Sequence, residues 1–182
     1  MWSIYTKTGD KGLTSTANSE RVKKNSFLIN LQGDIDEVNA YVGNLRSILS
    51  KNKTINSIDP ELKTIQKSLF LIGSEVSFSF KKTYIKDDDI KYLEEKIDFM
   101  TSNCNDINFF IYPSGTLSAT TSQIIRSIVR RCERSFVSFL NSIYIEDYPL
   151  SYQYINRLSD YFFSLSRYIN KLENFSEEPL EI

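Results

Sequence analysis

The chain has 182 residues, with 22 lysines and arginines against 23 aspartates and glutamates and no histidine. That length suits one domain with a real core, and a net charge of −1 gives no global attraction to nucleic acid or membrane. Without histidine, a Ser-His-Asp triad, a Cys-His dyad and a His-based zinc site are all excluded, so any chemistry runs on positioning, cations and a cofactor.

The chain opens on "IYTKTGDKGLTS" from Ile4, a polar, glycine-bearing stretch where termini usually fray. From Asp34 the apolar positions Ile35, Val38, Val42, Leu45, Ile48 and Leu49 step by three and four, which predicts a helix. Asp59-Pro60 reads as N-cap and first position of a second helix ending near Phe80, with Leu62, Ile65, Leu69, Ile72 and Val76 inward. Asp87-Asp88-Asp89 suits a third helix N-terminus through the macrodipole, followed by Ile90, Leu93, Ile97 and Met100. Phe109-Phe110-Ile111-Tyr112, stopped by Pro113-Ser114-Gly115, is too short for a helix and predicts an extended run into a loop. A fourth helix is expected over 116–141, with Leu117, Ile124, Ile128, Val129, Cys132 and Leu140 inward. Pro149 opens a fifth, carrying Leu150, Tyr154, Leu158, Phe162, Leu165 and Ile169. The acidic tail, residues 174–182, is expected to fray.

Five helices with short connections predict an all-α antiparallel bundle in one domain, residues 1–182. No strand–helix alternation supports a doubly wound sheet. Cys104 and Cys132 are too few for a disulfide framework and are not spaced as metal ligands. They read as reduced thiols. No apolar run reaches the roughly 20 residues of a membrane span, and no signal peptide is visible, so the cytoplasm is the expected compartment.

Four stretches carry chemistry. Thr6, Lys7, Gly9, Asp10 and Gly12 have the makeup of a phosphate-binding loop: glycines admit backbone N–H groups to anionic oxygens, and Lys7 supplies charge. Asp10 can order the loop or hold magnesium through water. The sequence GxxxxGK[ST] is absent, so this is not a Walker A loop. The stretch also reads as a solvated terminal turn. In "RSIVRRCERSF", Arg126, Arg130 and Arg134 share one helical face, and crowded guanidiniums call for carboxylates or an anionic ligand such as triphosphate. The alternative is a solvated basic face partly paired with Glu133. In "GDIDEVN", Asp34, Asp36 and Glu37 read as the acidic head of the first helix, or Asp36 reads as the partner of one of those arginines across an interface. In "YINRLSDYFFSLSRYIN", Asn156, Arg157 and Asp160 are polar positions on an apolar helix. Arg157 and Asp160 can pair, and Asn156 can reach a ligand.

In this order, "IYTKTGDKG", "RVKK", "GDIDEVNAYVG", "FFIYPSG", "RSIVRRCER" and "INRLSDYFFSLSRYIN" closely resemble the propanediol-utilisation type of ATP:cob(I)alamin adenosyltransferase, over Ile4 to Asn170. The resemblance implies a ferritin-like five-helix bundle that assembles as a homotrimer with active sites between subunits. It implies transfer of the 5′-deoxyadenosyl group of ATP to the Co(I) of a reduced corrinoid, with magnesium, giving adenosylcobalamin and triphosphate. The missing histidine then has an explanation, because the cobalt nucleophile needs no protein base. Thr6, Lys7, Gly9, Asp10, Gly12 and Lys24 would bind ATP with Arg130 and Asn156, so residues 1–25 form an ATP-binding loop. Asp36 and Arg126 match a salt bridge between subunits. Phe110 matches an aromatic residue beneath the corrin that displaces the lower cobalt ligand, and Phe163 would line the same pocket. An electron-donor protein and an adenosylcobalamin-dependent acceptor enzyme are the implied partners.

The chain departs from the family pattern at Gln123, where histidine is common, at the loop with Gly115 as its only glycine, and at Leu28, where an arginine is usual. A corrinoid or nucleotide carrier on the same fold would predict loss of Lys7, Asp36, Arg126, Arg130 or Asn156, and all are present. A purely structural bundle leaves the glycine-bearing start and Phe110 unexplained.

Overall fold

A computed structural model describes residues 4–5 and 7–181. Five helices make up the bundle: α1 (Phe27–Leu49), α2 (Asp59–Ser77), α3 (Asp87–Ser102), α4 (Leu117–Ser142) and α5 (Leu150–Leu172). They pack in the order α2, α1, α4, α5, α3. Leu31, Ile35, Val38, Val42, Leu45 and Leu49 of α1 are all buried, and they meet Ile125, Val129, Cys132 and Phe136 of α4 in one core. Each such side chain contributes about 1.5–3 kcal/mol by leaving water. No described helix is long and apolar enough to cross a membrane.

Helix α1 begins seven residues before the expected Asp34, because Ser26 caps it by accepting from the Ile29 N–H at 3.4 Å. Asp34, Asp36 and Glu37 therefore lie inside the helix, and the macrodipole reading of them is overturned. At α2, Asp59 is the first helical residue rather than the cap, and the helix stops at Ser77, not near Phe80. Its Asp59 carboxylate is instead gripped by Arg46, through Nε at 2.7 Å and Nη2 at 3.0 Å. Helix α3 starts where its three aspartates suggest, and Asp89 accepts from the Lys86 N–H at 2.8 Å. Thr116 caps α4 through the Ala119 N–H at 3.3 Å. Leu117 and Ile124 of α4, expected inward, are 68% and 47% exposed.

Inside the polar N-terminal stretch, β1 (Leu13–Ser15) and β2 (Arg21–Lys23) form a small antiparallel hairpin, a strand pair that the sequence reading did not anticipate. Phe109–Tyr112 is not helical, as expected; Phe109 lies in a bend, and Ile111 bridges to Pro179 of the tail. The Tyr112 N–H donates to the Glu178 carbonyl at 2.9 Å, and the Leu180 N–H donates to the Phe110 carbonyl at 2.7 Å. The tail is thus pinned through residue 180 rather than frayed. Two charged side chains are buried among the described residues, Glu75 and Arg167. Glu75 accepts from the N–H groups of Tyr84 and Ile85 and closes the turn after α2. Cys132 is fully buried and Cys104 half-buried.

Candidate functional site

The arginine face of α4 is largely unpaired. Among the described residues no carboxylate meets Arg126, Arg130 or Arg134. Arg134 donates to the Arg130 backbone carbonyl at 2.9 Å, and the exposed Arg130 guanidinium makes no hydrogen bond or ion pair among the described residues. Burial, and then the charge of Arg130, push the Arg126 guanidinium below its ordinary value. Glu133, the expected internal partner, instead accepts from the Tyr152 hydroxyl at 3.4 Å. Arg131, off this face, takes the acidic residues of α1, donating to Asp34 at 2.9 Å and to Glu37. A helix face with this much uncompensated positive charge suits an anionic ligand.

Beside it lies a cleft of about 530 Å³, lined by Ile107, Phe110, Gln123, Arg126 and Phe163 among others. Phe110 is 73% exposed at its rim. A large apolar ring held in water beside an apolar wall is suited to a flat, partly apolar molecule. The cleft's polar side is ordered by a chain of hydrogen bonds. Arg126 Nε donates to Gln123 Oε1 at 2.8 Å, and Gln123 Nε2 donates to Ser166 Oγ at 2.7 Å. Ser166 Oγ in turn donates to the Phe163 carbonyl at 2.7 Å. Gln123 thus fixes the direction of Arg126.

The remaining candidates stand apart in a single chain. In the N-terminal loop, Lys7 and Gly12 have φ of 57° and 76°. Gly12 can adopt that conformation without strain. The Lys24 N–H donates to the Gly12 carbonyl at 2.9 Å. A Cβ on Gly9 would lie 3.1 Å from Lys24 Nζ, so Gly9 leaves room for the ammonium. Asp10 is exposed and has no described partner; Thr6 lies outside the described residues. No described hydrogen bond or ion pair joins Lys7, Gly9, Asp10, Gly12 or Lys24 to Arg130 or Asn156. Asn156 is exposed on α5, beside the Tyr152 hydroxyl, which burial and Glu133 raise. Arg157 pairs with Asp160 at 3.4 Å, as its spacing suggests, and with Glu94 of α3 at 3.0 Å. Asp36 is exposed on the α1–α2 groove near Phe70 and forms no ion pair with Arg126 within the chain.

Sequence reasoning missed Asn170 and Arg167 of α5. Asn170 Nδ2 donates to the Ser114 carbonyl at 3.1 Å and its Oδ1 accepts from the Thr116 N–H at 3.2 Å. Gly115 sits between them at φ +125°, where a Cβ would fall 2.1 Å from Asn170 Oδ1. The signal available was a polar residue on the buried stripe of α5, one turn after Ser166.

A profile of the cobalamin adenosyltransferase family matches residues 4–169. The chain is 37% identical over 180 residues to the corrinoid adenosyltransferase of Bacillus subtilis, covering 98% of this chain and 92% of that one. It is 34% identical over 184 residues to the human corrinoid adenosyltransferase MMAB, covering 96% and 72%. Among solved structures, a variant of the PduO-type ATP:corrinoid adenosyltransferase from Lactobacillus reuteri, complexed with cobalamin and ATP, superposes with a TM-score of 0.91 at 33% identity, covering 99% of this chain and 100% of that one.

Proposed function

The chain belongs to the cobalamin adenosyltransferase family, and on that premise we propose that it transfers the 5′-deoxyadenosyl group of ATP to the Co(I) of a reduced corrinoid. The observation that carries this reading is the juxtaposition of an unpaired arginine face with an apolar cleft rimmed by the exposed ring of Phe110. One side suits triphosphate and the other suits the face of a corrin.

The reaction needs no protein base. Cobalt(I) attacks the 5′ carbon, the Co–C bond forms, the C–O bond breaks, and triphosphate leaves with the electron pair. Arg130 donates charge-assisted hydrogen bonds to the departing triphosphate, where they stabilise the charge that develops there. Lys7 and Lys24 add positive charge, the backbone around Gly9 and Gly12 cradles phosphate oxygens, and Thr6 and Asn156 donate further hydrogen bonds. Phe110 and Phe163 present a face with no donor atom to the lower side of the corrin. A lower ligand displaced there is not replaced, which makes reduction to Co(I) easier.

Magnesium fits as a companion of ATP. Among the described residues no group of three or more carboxylates or cysteines could hold a metal by itself. The lone exposed carboxylate of Asp10 matches a cation held mainly by phosphate oxygens and water. Bound, it would neutralise triphosphate charge.

Asp36 and Arg126, unpaired with each other in one chain, are read as partners across the interface of a homotrimer. The loop of one subunit then closes the site of the next, which accounts for the separation of Lys7, Gly9, Asp10, Gly12 and Lys24 from Arg130 in a single chain. An electron-donor protein supplies the reduced corrinoid, and an adenosylcobalamin-dependent enzyme takes the product.

The test is anaerobic: protein, chemically reduced cobalamin, ATP and magnesium, followed in the visible spectrum. Conversion of the Co(I) spectrum into that of adenosylcobalamin, with triphosphate released, supports the reading. Binding of both ligands without conversion makes the chain a carrier and overturns it.

A further inference from the structure

The loop that carries Phe110 is tied to the helical core by a buried arginine. Arg167 of α5 is only 6% exposed. Its Nε donates to Glu177 Oε1 at 2.6 Å and its Nη2 to Glu177 Oε2 at 2.9 Å, a two-pronged grip on the tail. The same Nη2 donates to the Asn105 carbonyl at 2.7 Å, at the start of the loop. One guanidinium thus joins residue 105 to residue 177. Just beyond each, the two segments pair: the Leu180 N–H reaches the Phe110 carbonyl at 2.7 Å, and the Tyr112 N–H reaches the Glu178 carbonyl at 2.9 Å. Ile111 faces Pro179 in the only bridge between them among the described residues.

So short a pairing does not hold its own register, and a slip of one residue would turn Phe110 to the other face. A buried ion pair adds little net stability, because desolvation offsets most of its attraction. Its geometry is nevertheless directional, and here it fixes where the tail begins. Asn170, holding Ser114 and Thr116, fixes the far end of the loop. Phe110 lies between these two anchors.

We propose that the Arg167–Glu177 pair is a positioning latch: it seats residues 177–180 against residues 110–112 and thereby holds Phe110 at the rim of the corrinoid cleft. The inference rests on the assignment of that cleft to the corrinoid. Glu177 and Leu180 touch neither substrate; they act through the strand they support. Without the latch, ATP binding and the alkylation of corrinoid already reduced in solution proceed, while displacement of the lower cobalt ligand fails.

The test compares wild type, Glu177→Ala and Leu180→Pro, the second removing the N–H that holds the Phe110 carbonyl while leaving both members of the Arg167–Glu177 pair in place. Each is assayed for ATP binding, for adenosylation of pre-reduced cob(I)alamin, and for adenosylation starting from protein-bound cob(II)alamin with a reductant. The nitrogen splitting in the EPR signal of bound cob(II)alamin reports directly whether the lower ligand is still attached. In both variants the route from bound cob(II)alamin falls roughly tenfold or more, as expected when a positioning side chain is displaced, and the nitrogen splitting persists. The other two activities stay at the wild-type level. Loss of the splitting as in wild type, with both routes intact, overturns the latch. So does a parallel fall of all three activities with melting temperature, which marks general loosening. An inactive wild type overturns the reaction assignment itself, and this inference with it.

Discussion

Asp34 on α1 and Arg131 on α4 close a salt bridge at 2.9 Å, while Asp36, two residues further along α1, stands exposed with no ion pair among the described residues. The same acidic cluster therefore serves two ends. Asp34, which also accepts from Ser135 Oγ at 2.5 Å, ties α1 to α4 within the bundle. In the proposed homotrimer, Asp36 pairs with a second copy.

That division predicts opposite phenotypes. Asp34→Ala lowers unfolding free energy by about 1 kcal/mol in urea, a modest figure because Arg131 is 44% exposed and water screens the pair. Asp36→Ala leaves the subunit fold unchanged by circular dichroism. It shifts sedimentation from trimer toward monomer and lowers turnover.

Arg130 tests the triphosphate side. Arg130→Ala removes a charge-assisted hydrogen bond and lowers kcat/KM by about 1.5–3 kcal/mol, measured anaerobically with pre-reduced cobalamin. Arg134→Ala, whose guanidinium is spent on the Arg130 carbonyl, has a smaller effect. Equal losses would argue for a general field rather than a specific contact.

Phe110→Ala separates the two halves of the reaction. ATP affinity and alkylation of pre-reduced corrinoid are retained, and turnover starting from bound cob(II)alamin falls. The measurement is the ratio of the two rates. An unchanged ratio would remove Phe110 from its assigned role.

Acid sensitivity of the fold centres on the α1–α2 pair. The hydrogen bond from Arg46, aided by its charge and opposed by burial, holds the Asp59 carboxyl below its ordinary value. A carboxyl depressed in the folded state contributes stability above its unfolded value of about 3.9 and loses it as pH falls through the lower, folded value. Asp59→Asn therefore lowers the melting temperature at neutral pH, and the gap from wild type closes with acidification below about pH 4. A gap independent of pH would assign the loss to packing.

The helices were legible because each keeps its apolar stripe at three- and four-residue steps. The start of α1 was not, since the reading anchored on the aspartates of "GDIDEVN" and passed over Ser26, which accepts the capping bond. Periodicity also gives a face without naming what covers it. Leu117 and Ile124 fall near the apolar stripe of α4 yet lie open in the single chain. The arginine face and Phe110 were readable as chemistry from residue type alone. Which carboxylate takes which arginine was not, because Arg131 and Asp34 lie 97 residues apart in sequence. The hold of Asn170 and Arg167 on the Phe110 loop belongs to the same class. These are contacts between the end of α5 and segments outside any periodic element.

The unequal burial of the two cysteines equips the native chain with its own reporter. Cys132 is sealed in the core, and burial pushes its thiol up, so thiol reagents find no thiolate there. Cys104 lines the same hollow as Arg167 and Glu177, and burial raises its thiol less severely. The rate at which a maleimide modifies the folded, unmutated protein therefore reports on this hollow rather than on the core. Any ligand that seats Phe110 more firmly should register as slower labelling at that sulfur.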